Sequence, residues 1–264
     1  MGIVLSVNMN KGGVGKTSLI TNLAGAIHLR MPLAKILIID TDAQGNAALS
    51  FGLVPHKFEN NMNDVMLGNI KIEDIITQVE KNIFLAPAND DLNTLEFNVL
   101  IDKEKYPKPF MLLKPHIDRI RDKYDFILID TPPSLGMVAG NVLATSDYTI
   151  IPFVPEWYSV QGLIRIIDAF NMFREKVNHN LRLLGVVGMM VESRTTLHTQ
   201  MMQDARKYCH RKGIKLFETM IPKTIRYANA VAYHGKPAIL IEHSSPLVTA
   251  YFELMEEIFN ELQK

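Results

Sequence analysis

The 264-residue chain has one cysteine, one tryptophan and no excess of either charge. A single cysteine, Cys209, excludes an internal disulfide and a zinc site built from several cysteines, and it fits a reducing cytosol. Equal numbers of cations and anions, 28 of each, exclude the global basic field that marks many nucleic-acid-binding proteins. With 47% hydrophobic and 21% charged residues, the composition is that of a globular protein rather than a disordered one.

Long hydrophobic runs are also missing. The longest apolar stretches, such as Leu183 to Val191, fall well below the roughly 18–20 residues that a membrane-spanning helix needs. The N-terminus has neither a charged n-region nor a separate hydrophobic region, so a signal peptide is not expected. Met1 to Ser6 fits the loose myristoylation pattern, but a buried strand explains these residues better. We therefore expect a cytoplasmic protein without a membrane anchor.

Short apolar runs alternate with segments of helical spacing. The runs are Ile3 to Asn8, Lys35 to Asp40, Ile83 to Pro87, Phe126 to Asp130, Tyr148 to Pro152, Leu183 to Val191 and Phe217 to Ile221. The helical segments are Lys16 to Leu29, Leu112 to Lys123 and Leu247 to Leu262. Continuously apolar strands are buried on both faces, which predicts an α/β fold with one doubly wound, mostly parallel sheet and helices on both sides. We expect residues 1–264 to form one domain, with the polar segment Asn60 to Asp74 as a surface excursion.

A glycine-rich segment lies between the first strand and the first helix. Its sequence is Lys11-Gly12-Gly13-Val14-Gly15-Lys16-Thr17, followed by Ser18. Glycines let backbone N–H groups turn inward around phosphate oxygens, and the helix that follows adds the positive end of its dipole. In such a loop Lys16 reaches the β- and γ-phosphates and the Thr17 hydroxyl binds Mg²⁺. We therefore predict that residues 11–18 bind the phosphates of a nucleotide.

This loop departs from the strict pattern G-x-x-x-x-G-K-[ST], because the first glycine of that pattern would fall on Asn10. The chain has the deviant form, with an additional lysine, Lys11, at the start of the loop. Lys11 is either a bystander that faces solvent or a residue that reaches a nucleotide bound by a second subunit. We favour the second interpretation, which is a lysine version of the arginine finger supplied in trans.

Acidic residues follow two of the apolar runs. Asp40 and Asp42 end the second run as Asp-Thr-Asp, and Asp130 ends the run that begins at Phe126. Ligands of parallel sheets bind at the carboxyl ends of the strands, so these acids should lie near the phosphate loop. Carboxylates there can position the attacking water or hold the metal and its water shell. We assign Asp40 and Asp130, with Thr17, to the metal. Residues 44–46 and 131–134 are predicted to be switch segments that sense the γ-phosphate.

Four segments form a recognisable set of motifs: Lys11 to Thr17, Asp40 to Asn46, Asp130 to Ser134 and Ile221 to Pro237. Together they resemble the ParA/Soj partition ATPases, a family in the deviant-Walker-A class of P-loop proteins. The resemblance extends from about Ile3 to the end of the chain. Where the family usually has glutamine and proline, this chain has Asn10 and Ala43.

The resemblance implies a slow, partner-stimulated ATPase that binds ATP with Mg²⁺. It implies a nucleotide-sandwich homodimer in which Lys11 crosses to the partner's phosphates. Lys11, Lys16 and Asp42 would be the catalytic residues, Asp42 as the acid critical for hydrolysis, and Pro222 would contact adenine through its backbone. The dimer would bind double-stranded DNA without sequence preference, on the nucleoid, until a ParB-like centromere-binding protein stimulated hydrolysis. The cargo, plasmid or chromosome, stays open.

The net charge of zero hides a basic C-terminal region. Residues 194–236 contain nine cations and two anions, a local net charge of +7 that leaves −7 for the rest of the chain. Cations clustered in this way can contact a phosphate backbone without reading bases. We assign Arg194, Lys223 and Arg226 to DNA, and the two arginines match arginines that the family uses for this purpose. A solvated helix face is the other explanation for the cations in the middle of the region.

Three alternatives come from related P-loop proteins. A MinD-like membrane-associated positioning ATPase needs a basic amphipathic C-terminal helix, whereas the segment from Glu253 to Leu262 is acidic and its apolar residues are better explained by core packing. An iron–sulfur carrier needs more cysteines than Cys209. A biosynthetic ligase resembling dethiobiotin synthetase is disfavoured by Lys11 and the basic region. Trp157 and Tyr158 are expected to pack in the fold or at the dimer contact.

Overall fold

The computed structural model describes residues 2–242 and 244–264. Its strands are β1 (Ile3–Val7), β2 (Ile36–Asp40), β3 (Thr77–Glu80), β4 (Ile83–Ala86), β5 (Phe126–Asp130), β6 (Tyr148–Phe153), β7 (Arg182–Val191) and β8 (Leu216–Pro222). They form one eight-stranded sheet in the order β3-β4-β2-β5-β1-β6-β7-β8. The β3–β4 pair is antiparallel and the other pairs are parallel. The predicted fold class, a mostly parallel sheet with helices, is confirmed.

The helices are α1 (Lys16–Arg30), α2 (Asn46–Leu49), α3 (Met62–Met66), α4 (Leu95–Ile101), α5 (Lys114–Ile120), α6 (Met137–Thr145), α7 (Ser159–Lys176), α8 (Thr196–Lys212), α9 (Arg226–His234), α10 (Ala238–Ile241) and α11 (Pro246–Leu262). Short 3₁₀ segments occupy Pro55–Lys57, Ile72–Asp74, Asp90–Thr94 and Arg121–Lys123. The predicted helix from Leu112 to Lys123 is therefore α5 followed by a 3₁₀ turn.

Both faces of the sheet are covered, which explains why its central strands are continuously apolar. Residues 36–39 of β2 are all completely buried. Ile36 and Ile38 belong to the hydrophobic cluster on one face, and Leu37 and Ile39 belong to the cluster on the other. Because successive side chains of a strand point to opposite faces, a strand between two helical layers needs an apolar residue at every position.

The predicted surface excursion from Asn60 to Asp74 is wrong. It contains α3, and Asn61, Met62 and Val65 are completely buried. The polarity of this segment reflects a helix cap, because the Asn61 side chain accepts a hydrogen bond from the Asn63 N–H while Asp64 accepts one from the Asn61 N–H. Polar side chains that close a helix N-terminus can be buried because their hydrogen bonds are made locally.

The pattern of apolar runs does not predict β3, an edge strand with the sequence Thr-Gln-Val-Glu and partly exposed side chains. In α11, by contrast, Leu254, Met255 and Ile258 are buried in the core, as predicted. No helix in the described part of the chain is both long and apolar enough to cross a membrane.

Candidate functional site

A cavity of about 550 Å³ opens at the carboxyl edge of the sheet, where the central strands β2, β5 and β1 end side by side. Its walls are residues 12–18 of the glycine-rich loop and α1, residues after β2 that include Asp42, Pro133 after β5, Met190 of β7, and one face of α9. The cavity has the volume of an ordinary small-molecule or cofactor site. The structure thus brings the loop and Asp42 together around one space, as the sequence analysis expects.

The glycine-rich loop ends at Gly15, which precedes α1 and has φ +81°. Glycine enters this left-handed region without steric penalty, so the chain can turn sharply into the helix. The first turn of α1 contains no acidic residue, and its residues Lys16, Thr17 and Ser18 line the cavity. The positive end of the helix dipole is therefore free to act on an anion in the cavity.

Lys16 is only 7% exposed, and its Nζ donates a hydrogen bond to the Lys11 carbonyl oxygen at 3.2 Å. Burial lowers the pKa of this ammonium, and the nearby carboxylates of Asp130 and Asp42 oppose that shift. The lysine is thus a buried ammonium group whose charge interacts with two nearby carboxylates. A phosphate chain would add the negative charge that a desolvated cation at this position favours.

Asp130 is completely buried at the end of β5. Its Oδ2 accepts a hydrogen bond from the Thr17 hydroxyl at 2.5 Å, and its Oδ1 accepts one from the Thr131 N–H at 3.1 Å. Burial raises the pKa of Asp130 to about 7, although the Thr17 hydrogen bond and the charge of Lys16 pull it down. The predicted metal residues Thr17 and Asp130 are therefore in direct contact.

Asp40 and Asp42 lie two positions apart but face different surroundings. Asp40 is completely buried, and its two carboxylate oxygens accept hydrogen bonds from the backbone N–H groups of Asp42 and Ala47 at 2.9 and 3.0 Å. Burial and the neighbouring charge of Asp130 raise the pKa of Asp40 well above its usual range. Asp40 therefore fixes the loop that presents Asp42 to the cavity, and its assignment to the metal stays a prediction.

Asp42 is 8% exposed, and its Oδ1 accepts a hydrogen bond from the Gln44 N–H at 3.0 Å. The loop then turns at Gly45, which has φ +65° and sits so close to Pro55 that a Cβ would lie 2.5 Å from the proline ring. Only glycine fits this turn. Within the predicted first switch segment, Gly45 is thus packed against Pro55 while Gln44 is exposed, and the preceding Asp42 lines the cavity.

The donor set suits Mg²⁺ bound together with phosphate. Thr17 and Asp130 offer hydroxyl and carboxylate oxygens, which are the hard ligands that Mg²⁺ prefers. Among residues 2–242 and 244–264, no group of three or more His, Cys, Asp or Glu side chains is arranged to hold a metal ion. A magnesium ion here would take its remaining ligands from phosphate and water, as this ion commonly does in nucleotide sites.

Lys11 pairs with Glu156 of the same chain, and both side chains are about half exposed. Glu156 lies between β6 and α7, beside Trp157 and Tyr158, which are 70% and 77% exposed. The two aromatic side chains therefore do not pack inside the fold, which leaves the dimer contact as their predicted role. Sequence reasoning did not find Glu156, because its partner is 145 positions away.

The wall opposite the loop comes from α9 rather than from Pro222. Pro222 ends β8 opposite Val191 of β7, whereas Tyr227, Ala228, Val231 and Ala232 line the cavity. The i, i+4 spacing of these residues is the signal that could have identified this face of the helix. The contact of Pro222 with adenine stays a prediction.

The cations assigned to DNA differ in their surroundings. Lys223 pairs with Glu192 at 2.6 Å and Arg226 pairs with Glu242, whereas no ion pair involving Arg194 is found among the described residues. Ion pairs also engage Arg206, Lys207, Lys215 and Lys236. Four of the six acidic partners, Glu80, Glu192, Glu242 and Glu257, lie outside residues 194–236, so the local count of +7 overstates the positive charge of this surface.

Known proteins are similar to this chain over most of its length. A family model described as "AAA domain" matches residues 2–183. The sporulation initiation inhibitor protein Soj of Bacillus subtilis is 32% identical over 98% of each chain. A protein of Mycoplasma pneumoniae described as a ParA family protein is 31% identical, over 98% of this chain and 97% of its own.

The chain belongs to the ParA family. A crystal structure of cobyrinic acid a,c-diamide synthase from Mycobacterium smegmatis, with an ATP analogue and magnesium, superposes with a TM-score of 0.85 at 25% identity and covers 100% of this chain and 96% of its own. The protein is thus a partition-type ATPase of the ParA family, with a P-loop fold that accommodates nucleotide and magnesium in a related structure.

Proposed function

We propose that the protein is a DNA-partition ATPase that binds ATP with Mg²⁺ in the cavity at the carboxyl edge of the sheet. One observation carries the proposal: the glycine-rich loop, Lys16, Thr17 and Asp42 line one cavity of about 550 Å³, and the Thr17 hydroxyl donates a hydrogen bond to Asp130. The loop supplies phosphate-binding N–H groups, and the carboxylates supply the acidic side of a phosphoryl-transfer site. When bound, ATP would supply the reactive γ-phosphate, and Mg²⁺ would supply positive charge that neutralises the phosphate oxygens.

The chain's own residues then have separate roles. Lys16 holds the β- and γ-phosphates, and Thr17 and Asp130 hold the metal and its water shell. Asp42 positions the attacking water with the carboxylate oxygen that Gln44 does not occupy. Asp42→Ala should therefore leave ATP affinity within a few-fold and lower single-turnover hydrolysis by roughly 10²–10⁴-fold, the usual contribution of a positioned acid or base. A hydrolysis rate like that of the unaltered protein would remove Asp42 from this role.

The proposal includes an ATP-dependent homodimer. Lys11 lies at the start of the loop and its ammonium is about half exposed, so it can reach outward to a second chain once it leaves Glu156. The exposed Trp157 and Tyr158 beside Glu156 offer apolar area for that contact. Dimerisation would complete the site because each chain would bring a cation to the phosphates bound by the other.

The proposal also includes nonspecific DNA binding by the dimer and a ParB-like partner that stimulates hydrolysis. The exposed Arg194, which follows β7, supports the DNA surface, and Lys223 and Arg226 join it only if they leave their ion pairs. A dimer doubles this surface, so binding is expected to depend on nucleotide and to fall steeply with salt.

The deciding experiment measures retention on DNA with ATP, with ADP and without nucleotide, across a salt series. Retention should be strongest with ATP and should weaken as salt rises, because each neutralised phosphate releases counterions. Lys16→Ala should abolish nucleotide binding and make the three states equal. Equal retention by the unaltered protein in all three states would contradict the nucleotide-dependent switch.

A membrane-associated role was the main alternative, and α11 argues against it. Its apolar residues Leu254 and Ile258 lie in the core, while Glu253 and Glu256 face solvent. A helix bound to anionic lipid needs a free apolar face bordered by cations, and the described side chains of α11 provide neither. Flotation with anionic vesicles in the presence of ATP is the direct measurement, and we expect no ATP-dependent binding.

A further inference from the structure

Met190 has a backbone conformation that methionine rarely adopts. Its φ is +53°, in the left-handed region that strongly favours glycine. The pairing of β7 with β8 is irregular at this point, since Gly188 lies opposite Met220 and Val191 opposite Pro222, which leaves one extra residue in β7. Bulges of this kind turn a side chain toward a new direction and occur often beside active sites.

The side chain is turned toward the phosphate loop. A Cβ placed on Gly15 would lie 3.0 Å from the Cε methyl of Met189 and 3.4 Å from that of Met190. Consecutive residues of a regular strand face opposite sides of the sheet, so both methyl groups could not normally reach one glycine. The bulge and the left-handed conformation at Met190 bring them together. Met190 also lines the nucleotide cavity, whereas Met189 is 1% exposed.

We propose that Met190 is a positioning residue that, together with Met189, forms a seat for Gly15 of the phosphate loop. Gly15 precedes the first residue of α1, so its backbone angles set the direction in which the loop enters the helix. A loop held in place before the nucleotide arrives loses less freedom on binding, and affinity rises accordingly. The inference rests on the proposed binding of nucleotide in this cavity.

The strained backbone is evidence for this role. A residue in a sparsely populated conformation persists only where the surrounding structure enforces it, and such residues cluster at ligand sites. A glycine at position 190 would relieve the strain but remove the seat. Methionine at this position has a strained backbone conformation, but it supplies a flexible, polarisable side chain that stays in contact with the loop when the loop moves slightly.

The test compares Met190→Gly, Met190→Ala and Met190→Leu, with Met220→Ala as the matched control on β8 outside the cavity. Affinity for ADP with Mg²⁺ is measured by calorimetry, and unfolding by urea is measured without nucleotide. Both Met190→Gly and Met190→Ala should bind about 2- to 10-fold more weakly, the effect of ordering one loop on binding. Met190→Leu should recover most of the affinity, and Met220→Ala should bind as the unaltered protein does.

Stability separates a seat from a general packing role. Met190→Gly should unfold at a higher urea concentration than Met190→Ala, because glycine enters the left-handed region freely, yet it should bind ADP no better. Affinity losses that follow the stability losses across all variants, Met220→Ala included, would overturn the inference, and so would normal binding by Met190→Gly. If Lys16→Ala bound ADP as the unaltered protein does, the nucleotide site itself would be wrong, which is a different failure.

Discussion

Glu156 restrains Lys11 within one chain, and Glu156→Gln tests whether that restraint opposes dimerisation. The carboxylate pairs with the Lys11 ammonium, and the two side chains are 53% and 48% exposed. If Lys11 must cross to a second chain, each chain gives up this pair when the dimer forms. Glutamine is nearly isosteric and uncharged, so it removes the ionic restraint without leaving a hole at the start of α7.

The solvent exposure of the Lys11–Glu156 ion pair determines how much its removal should change the stability of the dimer. Ion pairs in contact with solvent contribute about 0.2–1 kcal/mol, because water screens the charges and ordering two long side chains costs entropy. Two such pairs are lost per dimer, so their removal should favour the ATP-bound dimer by about 0.4–2 kcal/mol, or roughly 2- to 30-fold in Kd. The gain should shrink as salt rises, because screening already weakens the pair in the unaltered protein.

Sedimentation velocity across a protein concentration series, with a non-hydrolysable ATP analogue, measures the dimer Kd. Glu175→Gln serves as the control, since it removes the same charge from an exposed position on the last turn of α7. A dimer that weakens in Glu156→Gln would mean that Glu156 itself contributes across the interface. A Kd equal to that of Glu175→Gln would mean that Lys11 is not restrained, and either result would refute the reasoning.

Three further predictions concern reactivity, stability and DNA binding. Cys209 is 1% exposed, and burial raises the pKa of its thiol to about 11, so only about a thousandth of the side chain is thiolate at pH 8. Because the thiolate is the reactive form, alkylation by iodoacetamide should be much slower in the native protein than in urea. Gly25→Ala should lower the free energy of unfolding by about 1–3 kcal/mol in urea titrations, because the new Cβ would lie 2.4 Å from the Ile239 Cγ2 methyl. This clash should outweigh the higher helix propensity of alanine, and an unchanged urea midpoint would contradict the prediction. Arg194→Ala should lower DNA affinity more than Lys223→Ala does. No ion pair involving Arg194 is found in the described part of the chain, whereas Lys223 is paired with Glu192. Fluorescence anisotropy with the same DNA duplex measures the affinity of both variants.

The fold and the centre of the site could be predicted from the sequence because their signals are local. A strand buried on both faces is apolar at every position, as residues 36–39 are, and this pattern is readable without knowledge of its neighbours. The acids Asp42 and Asp130 could be placed near the loop because parallel strands end at a common edge. The glycine-rich loop carries its own signature in seven residues.

The missed features depend on contacts between distant parts of the chain. Lys11 finds Glu156 after 145 positions, and Lys236 finds Glu80 after 156. A count of charges along a segment cannot include such partners, which explains why the basic region looked more positive than it is. The polar segment around Asn61 was misjudged for a related reason, since polarity signals exposure only when the hydrogen bonds of a side chain are made with water rather than with the backbone.

Asp40 and Asp42 show where sequence reasoning about a strand end reaches its limit. Both are aspartates after the same apolar run, and either could bind metal or position water. Asp40 accepts hydrogen bonds from two backbone N–H groups inside the turn, whereas Asp42 accepts one, at Oδ1, and lines the cavity. Inside such a turn, backbone N–H groups donate to both carboxylate oxygens, so that acid stabilises the turn. The acid beyond the turn makes fewer such hydrogen bonds and can bind other groups. We therefore expect the path of the backbone between two neighbouring acids to decide which of them acts.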